Sequence, residues 1–164
     1  PPQKNHPFIL KIFAEVKKQR SDAKLLLVGA EEEPSLLSLA KKLEIEKDVL
    51  FLGQRRDVAD LLFAMDVFLF PSLREGLPVA AIEAQASGLP VLMASTITRE
   101  ALVAPNAKML SLEASPREWA NAAVSAALEA RKDNYDIMKA AGWDIKDRAA
   151  RLAEYYRTGV FRDF

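Results

Sequence analysis

The sequence predicts an α/β protein, a Rossmann-like parallel sheet with helices on both faces, and three observations carry that expectation. Short apolar runs at 24–28, 49–52, 66–70, 90–93 and 108–112 alternate with longer amphipathic stretches along the whole 164-residue chain. Several of these runs are apolar throughout rather than at alternate positions, the pattern of strands covered on both faces. No hairpin turn signal separates successive runs, so each strand returns through a helix and the sheet is parallel.

Taken in order, Asn5 is placed to cap a first helix. Its apolar face is Phe8, Ile9, Ile12, Phe13 and Val16, with Pro7 in the first turn and Lys11, Glu15, Lys17, Lys18 and Arg20 opposite. Lys24 to Val28 reads as a strand ended by Gly29. The acidic run Glu31 to Glu33, followed by Pro34, suits the positive start of a helix reaching about Leu43. Val49 to Leu52 is the next strand, ended by Gly53, and Asp57 is expected to cap a short helix with Val58, Leu61, Leu62 and Met65. Asp66 to Phe70 forms a buried strand closed by Pro71 and Ser72. Gly76 and Pro78 then shape a turn into a helix that Gly88 ends, and Pro90 to Met93 follows as a strand. Thr98 caps a short turn, Lys108 to Leu112 is a last strand, and Ser115-Pro116-Arg117-Glu118 is a capping box opening a long helix through Trp119 and Ala123. Asp144 starts the final helix, with Ile145, Ala149, Leu152, Ala153 and Tyr156.

Composition excludes several functions. Lys plus Arg equals Asp plus Glu at 23 each, which leaves no basic footprint for nucleic acid and no polybasic membrane patch. With no cysteine and one histidine, neither thiolate chemistry nor a Cys/His zinc site is available, and a reducing, cytoplasmic setting fits. No stretch is long and apolar enough for a transmembrane helix, and the first residues carry no signal-peptide pattern. The chain is expected to be one domain, residues 1–164, cut from a longer protein. There is no G-x-G-x-x-G, no phosphate loop ending in Gly-Lys-Ser/Thr, no G-x-S-x-G and no Asp-x-Asp.

In a sheet of this kind ligands bind beyond the carboxyl ends of the strands, where strand order reverses. The candidate loops are Gly29-Ala30-Glu31, Gly53-Gln54-Arg55-Arg56 and Ser72 to Leu77. Glu83 is the unusual residue. Its helical neighbours three and four positions away are Val79, Ala80, Ala86 and Ser87, none of which can pair with a carboxylate, so it is expected to accept hydrogen bonds from something else.

Glu75 and Glu83 lie within P-S-x-x-E-G-x(6)-E-A-x(3)-G-x-P-V, spanning Pro71 to Val91. That pattern resembles the E-x7-E signature of retaining GT-B glycosyltransferases of family 4 (glycosyl transferases group 1), in the half that holds the nucleotide-sugar donor. The likeness runs along nearly the whole chain, through Gln3-Lys4-Asn5-His6, Leu-Leu-Val-Gly, Val-x-Phe-Leu-Gly and Phe-x-Phe-Pro-Ser. The resemblance implies that Glu83 accepts from the ribose hydroxyls and Glu75 meets hydroxyls of the donor sugar. It implies further that Gly76, Leu77, Pro78 and Val79 face sugar and diphosphate, that Lys4 contacts the diphosphate, and that the backbone near Arg55 cradles the base, with Gly29 in the adjoining loop. Glu75 and Lys4 are thus the catalytic candidates, and the others are donor-binding. No metal or other cofactor is implied; the substrate is a UDP- or GDP-sugar. The remaining partner is an N-terminal acceptor-binding domain of the same parent chain, through which membrane association would come. The family's first strand would precede Pro1. Pro78 departs from the glycine of many relatives and removes one N–H from the phosphate loop. The pathway implied is bacterial capsular, exopolysaccharide or lipopolysaccharide assembly; the alternative is a non-catalytic nucleotide-binding or protein-interaction α/β domain. Plainer readings compete for single residues: His6 as a turn residue, Arg55 and Arg56 as solvated charges, Trp119 and Trp143 as packing anchors.

Overall fold

The computed structural model describes residues 2–29 and 32–160; Pro1, Ala30 and Glu31 among the residues discussed above lie outside them. A one-turn 3-10 segment, Pro2–Lys4, leads into α1 (His6–Gln19), β1 (Leu25–Val28), α2 (Pro34–Lys42), β2 (Val49–Gly53), α3 (Val58–Ala64) and β3 (Phe68–Phe70). Then come α4 (Val79–Ala86), β4 (Val91–Ala94), β5 (Ala107–Leu110), α5 (Pro116–Ala126), α6 (Tyr135–Ala140) and α7 (Ile145–Thr158). Every strand pair is parallel, as the absence of hairpin signals requires.

Pairing falls into two groups rather than one continuous ladder. β1 pairs with β2, while β3, β4 and β5 form a separate sheet with β4 in the centre. All four residues of β4 are buried, so side chains pointing to opposite faces are covered on both. Its neighbours there are Ala81, Ile82 and Ala84 of α4 and Trp119, Ala120 and Ala123 of α5. A second cluster joins Ile9, Leu10 and Phe13 of α1 to Leu27, Leu36, Ala40, Ile45 and Val49.

Local expectations hold where the cap chemistry is self-contained. Ser115 Oγ accepts from Glu118 N at 3.3 Å while Ser115 N donates to Glu118 Oε2 at 2.8 Å, the reciprocal capping box. Asp144 accepts from the backbone N–H of Lys146 and Asp147 and caps α7. Two expected caps differ. Asn5 occupies the cap position in a left-handed conformation, but its side chain donates to the Pro71 carbonyl at 3.2 Å instead of closing its own helix. The Asp57 carboxylate is taken by Arg55, so α3 starts without a side-chain cap. Gly88, with φ +78°, follows Ser87, the C-cap of α4, and a Cβ there would land on the Lys132 carbonyl oxygen. Trp119 is a packing anchor: fully buried, edge-on to Phe8, its ring N–H donating to Ser111 O at 2.9 Å.

α7 is held differently. None of its residues is buried, and Ile145, Leu152 and Tyr156 are 78%, 53% and 79% exposed.

Candidate functional site

The carboxyl end of β3 runs into the loop 71–78, which turns the chain into α4. Pro71 and Ser72 are buried there, whereas Gly76, Leu77 and Val79 are exposed, as is common in a surface loop. The Pro78 carbonyl accepts from Ala81 N and Ile82 N and so opens the helix, with Pro78 just ahead of its first residue. The helix start supplies a positive dipole end on this loop.

Lys4 and Glu75, 71 positions apart, meet here. Lys4 Nζ donates to Glu75 Oε1 at 2.8 Å, with Glu75 largely covered and Lys4 a third exposed. Lys4 also sits 4.9 Å above the Phe70 ring, a cation–π contact. The Gln3 carbonyl accepts from Leu73 N at 2.8 Å, so the segment before α1 is fastened to the loop by backbone as well as by charge.

Glu83 lies on α4, beyond the loop. It is exposed, and its carboxylate has no hydrogen-bond or ion-pair partner among the described residues. The expectation that it accepts bonds therefore has no protein donor to satisfy it. It is the one acidic side chain in a helix otherwise made of Val, Ala, Ile and Gln. Gly29, at the end of β1 with φ +77°, lines the same cavity as Lys4 and Ser72. Arg55 has its side chain committed elsewhere. Its guanidinium makes a two-point pair with Asp57 at 2.8 and 2.6 Å; like Glu75, Gly76 to Val79 and Glu83, it does not line that cavity. This pairing raises the Arg55 pKa and lowers that of Asp57. His6 begins α1, and burial lowers its pKa, favouring the neutral ring. Among the described residues no group of three or more His, Cys, Asp or Glu is gathered to hold a metal ion.

Sequence reasoning missed the support beneath α4. Gln85, wholly buried, donates to Ala81 O and Ala101 O at 3.1 and 2.8 Å. Its Oε1 accepts from Val103 N and Ala104 N, each at 2.9 Å. Asn134 donates to Gln85 O and to Asn106 Oδ1, and Asn106 donates to Gly88 O. This network ties the carboxyl end of α4 to the segment after β4 and to the start of α6. No periodicity announces it, because a single glutamine among alanines reads equally well as surface.

The parallel α/β architecture, with a loop and helix at the strand ends, is that of a domain of the GT-B type. The chain belongs to the glycosyl transferases group 1 family, whose profile matches residues 1–129. It is 33% identical over 171 residues to the putative glycosyltransferase EpsF of Bacillus subtilis, covering 98% of this chain and 43% of that protein. Among solved structures it resembles HepE of Anabaena in complex with UDP, with TM-score 0.78, 22% identity, and coverage of 96% of this chain and 46% of that one. It likewise resembles WaaG, a glycosyltransferase involved in lipopolysaccharide biosynthesis, with TM-score 0.72 and 21% identity over 92% of this chain and 43% of that one. The chain thus spans less than half the length of these relatives. No helix among the described residues is long and apolar enough to cross a membrane.

Proposed function

We propose that this domain binds the nucleotide-sugar donor of a retaining glycosyltransferase that works in bacterial surface-polysaccharide assembly. The observation that carries the reading is the pair of carboxylates on one loop and helix: Glu75 held by Lys4, and Glu83 exposed, its carboxylate without a partner among the described residues. In this reading Glu83 accepts from the ribose hydroxyls and Glu75 from hydroxyls of the sugar. The loop from Gly76 to Val79 faces sugar and diphosphate. Lys4 and the start of α4 stabilise the charge that grows on the departing diphosphate, positive groups set in place before reaction. They take the part a divalent metal plays elsewhere, so transfer is metal-independent. Arg55 enters only through the backbone of its loop, since its side chain is committed to Asp57.

The acceptor comes from a second, N-terminal domain of the parent protein. The exposed apolar side chains of α7, Ile145, Leu152 and Tyr156, suit a helix that docks on it. The parent works in the cytoplasm, and any membrane attachment belongs to that other domain. Calorimetry on the full-length protein tests the division of roles. Glu83→Gln is expected to weaken UDP or GDP and the intact donor alike, by roughly 1.5–3 kcal/mol for charge-assisted bonds. Glu75→Gln is expected to leave free diphosphate binding no weaker while lowering turnover, because it touches only the transferred part. Equal losses for both ligands in both variants would refute the assignment.

A further inference from the structure

β3 pairs with β4 only as far as Phe70 opposite Met93. The carbonyls of Pro71 and Ser72 lie beyond that ladder, in buried residues where an unpartnered carbonyl is costly. Two side chains from other segments meet them: Asn5 Nδ2 donates to Pro71 O at 3.2 Å, and Thr96 Oγ1 donates to Ser72 O at 3.0 Å. Leu73 N, next along the chain, donates to Gln3 O at 2.8 Å. Ser72 Oγ itself has no hydrogen-bond partner, so the residue is held through its carbonyl and not through its own hydroxyl. After these three residues the restraint stops. Among the described residues no backbone–backbone hydrogen bond involves Arg74, Glu75 or Gly76, and Arg74 and Gly76 are exposed. The direction in which Glu75 leaves the strand is therefore set by the three bonds before it and by Lys4.

We propose that Thr96 and Asn5 are positioning residues: they fix the turn after β3 so that Glu75 is aimed at the donor sugar, and neither touches the donor. The inference rests on the reading of Glu75 as the sugar contact. Both anchors are themselves rigid. Thr96 follows β4 in a turn pinned on either side, where Ser95 N donates to Leu110 O at 2.8 Å and Ile97 N to Ala94 O at 3.1 Å, with Ile97 buried in the core. Asn5 stands at φ 57° and ψ 41°, a left-handed conformation that asparagine takes more readily than most residues. Its N–H donates to Pro2 O, and its carbonyl accepts from Phe8 N and Ile9 N. One anchor thus belongs to the central strand and the other to the start of α1, and the Glu75 loop is fixed relative to both. Placement matters at this scale, because an error of about 1 Å in a group that meets a reacting substrate costs on the order of a hundredfold. Thr96 is exposed and its bond to Ser72 crosses 24 positions, so no local pattern in the sequence marks it.

Calorimetry on the full-length parent tests it, with UDP and GDP as diphosphates and UDP-glucose, UDP-galactose, UDP-N-acetylglucosamine and GDP-mannose as intact donors. The informative donor is one whose affinity, relative to its own diphosphate, falls in Glu75→Gln. For that donor Thr96→Val, which keeps the shape and removes the hydroxyl, is expected to lower the same ratio about three- to tenfold, the range of one hydrogen bond, and to leave diphosphate affinity within about twofold. Thr96→Ser, which keeps a hydroxyl, is expected to hold the ratio of the parent. Asn5→Gly, which keeps the left-handed backbone, is expected to lower it as Thr96→Val does, and decides by the same criterion if Thr96→Val does not fold. A purely structural threonine would lower the melting temperature without moving the ratio. A ratio unchanged in Thr96→Val while Glu75→Gln lowers it would overturn the positioning role and leave the sugar assignment standing. So would equal losses for donor and diphosphate, or a Thr96→Ser variant as impaired as Thr96→Val. If Glu75→Gln lowers the ratio for no donor, the sugar assignment itself fails and takes this inference with it.

Discussion

Gln85 offers the sharpest measure of how the site is supported. Replacing it with alanine leaves Val103 N and Ala104 N without the Oε1 that both reach at 2.9 Å, strips Ala101 O of its donor at 2.8 Å, and opens a cavity under α4. Ala104 and Ala101 are buried, so water does not readily replace these bonds. An orphaned buried amide costs about 1–3 kcal/mol and a cavity adds to it, so Gln85→Ala should lose roughly 3–5 kcal/mol, a large share of a domain's stability. Gln85→Met keeps nearly the same volume without donors or acceptors, so it avoids the cavity and should retain only the hydrogen-bond part of the loss. Urea unfolding followed by fluorescence of the buried Trp119 measures both. A loss under about 1 kcal/mol in Gln85→Ala, or a methionine variant as stable as the parent, would show that the network is not what fixes α4. Since Glu83 precedes Gln85 by two positions on the same helix, the methionine variant should also bind UDP or GDP less tightly than the parent at temperatures where both are folded.

Two further outcomes follow from single positions. Gly88→Ala should cost more than about 2 kcal/mol, because a left-handed φ is strained for any Cβ and the Lys132 carbonyl occupies the space; Gly29→Ala, with a similar φ but nothing nearby, should cost only about 1 kcal/mol, and equal melting shifts would contradict this. Asp48, bonded by Lys17 at 2.7 Å and Lys24 at 2.5 Å, has its pKa lowered first by those hydrogen bonds. Its contribution is therefore present above the unfolded value of 3.8 and lost as pH falls through the lower folded value, so Asp48→Asn should flatten the acid limb of a stability curve and leave the neutral region's slope unchanged.

The parallel α/β order was legible because strands such as Val91 to Ala94 are apolar at every position and because capping residues sit where helices begin. Which strands pair was not, since a local pattern marks a strand without naming its neighbour; hence one sheet was expected where β1 with β2 and β3 to β5 stand apart. α6 escaped notice because its six residues bury only Met138. Asn5 and Asp57 looked like caps, as their residue types allow, but each found a stronger partner in a neighbouring segment. Of the site, the loop and the two carboxylates stand out in the motif. The covering of Glu75 by Lys4 depends on a contact across 71 positions, and the exposure of Glu83 depends on which face of α4 the core takes.

The Lys4–Glu75 pair bears on why the two carboxylates should respond differently to substitution. Lys4 is a flexible ammonium, a third exposed, which can turn toward a diphosphate without leaving an apolar space. While it stays on Glu75 part of its charge is spent there, so a diphosphate competes with the carboxylate for the same cation. A donor that draws Lys4 onto its phosphates at the same time frees Glu75 for the sugar hydroxyls, and each end of the donor prepares the contact made by the other. Removing the charge of Glu75 removes the competitor, which is why Glu75→Gln should bind free diphosphate at least as well as the parent protein. Glu83 has no cation to release among the described residues, so under the proposed reading its loss would give nothing back to phosphate binding and would only remove bonds to the ribose. Weaker diphosphate binding in Glu75→Gln would mean that Lys4 needs Glu75 to hold it in place, and the competition argued here would be wrong.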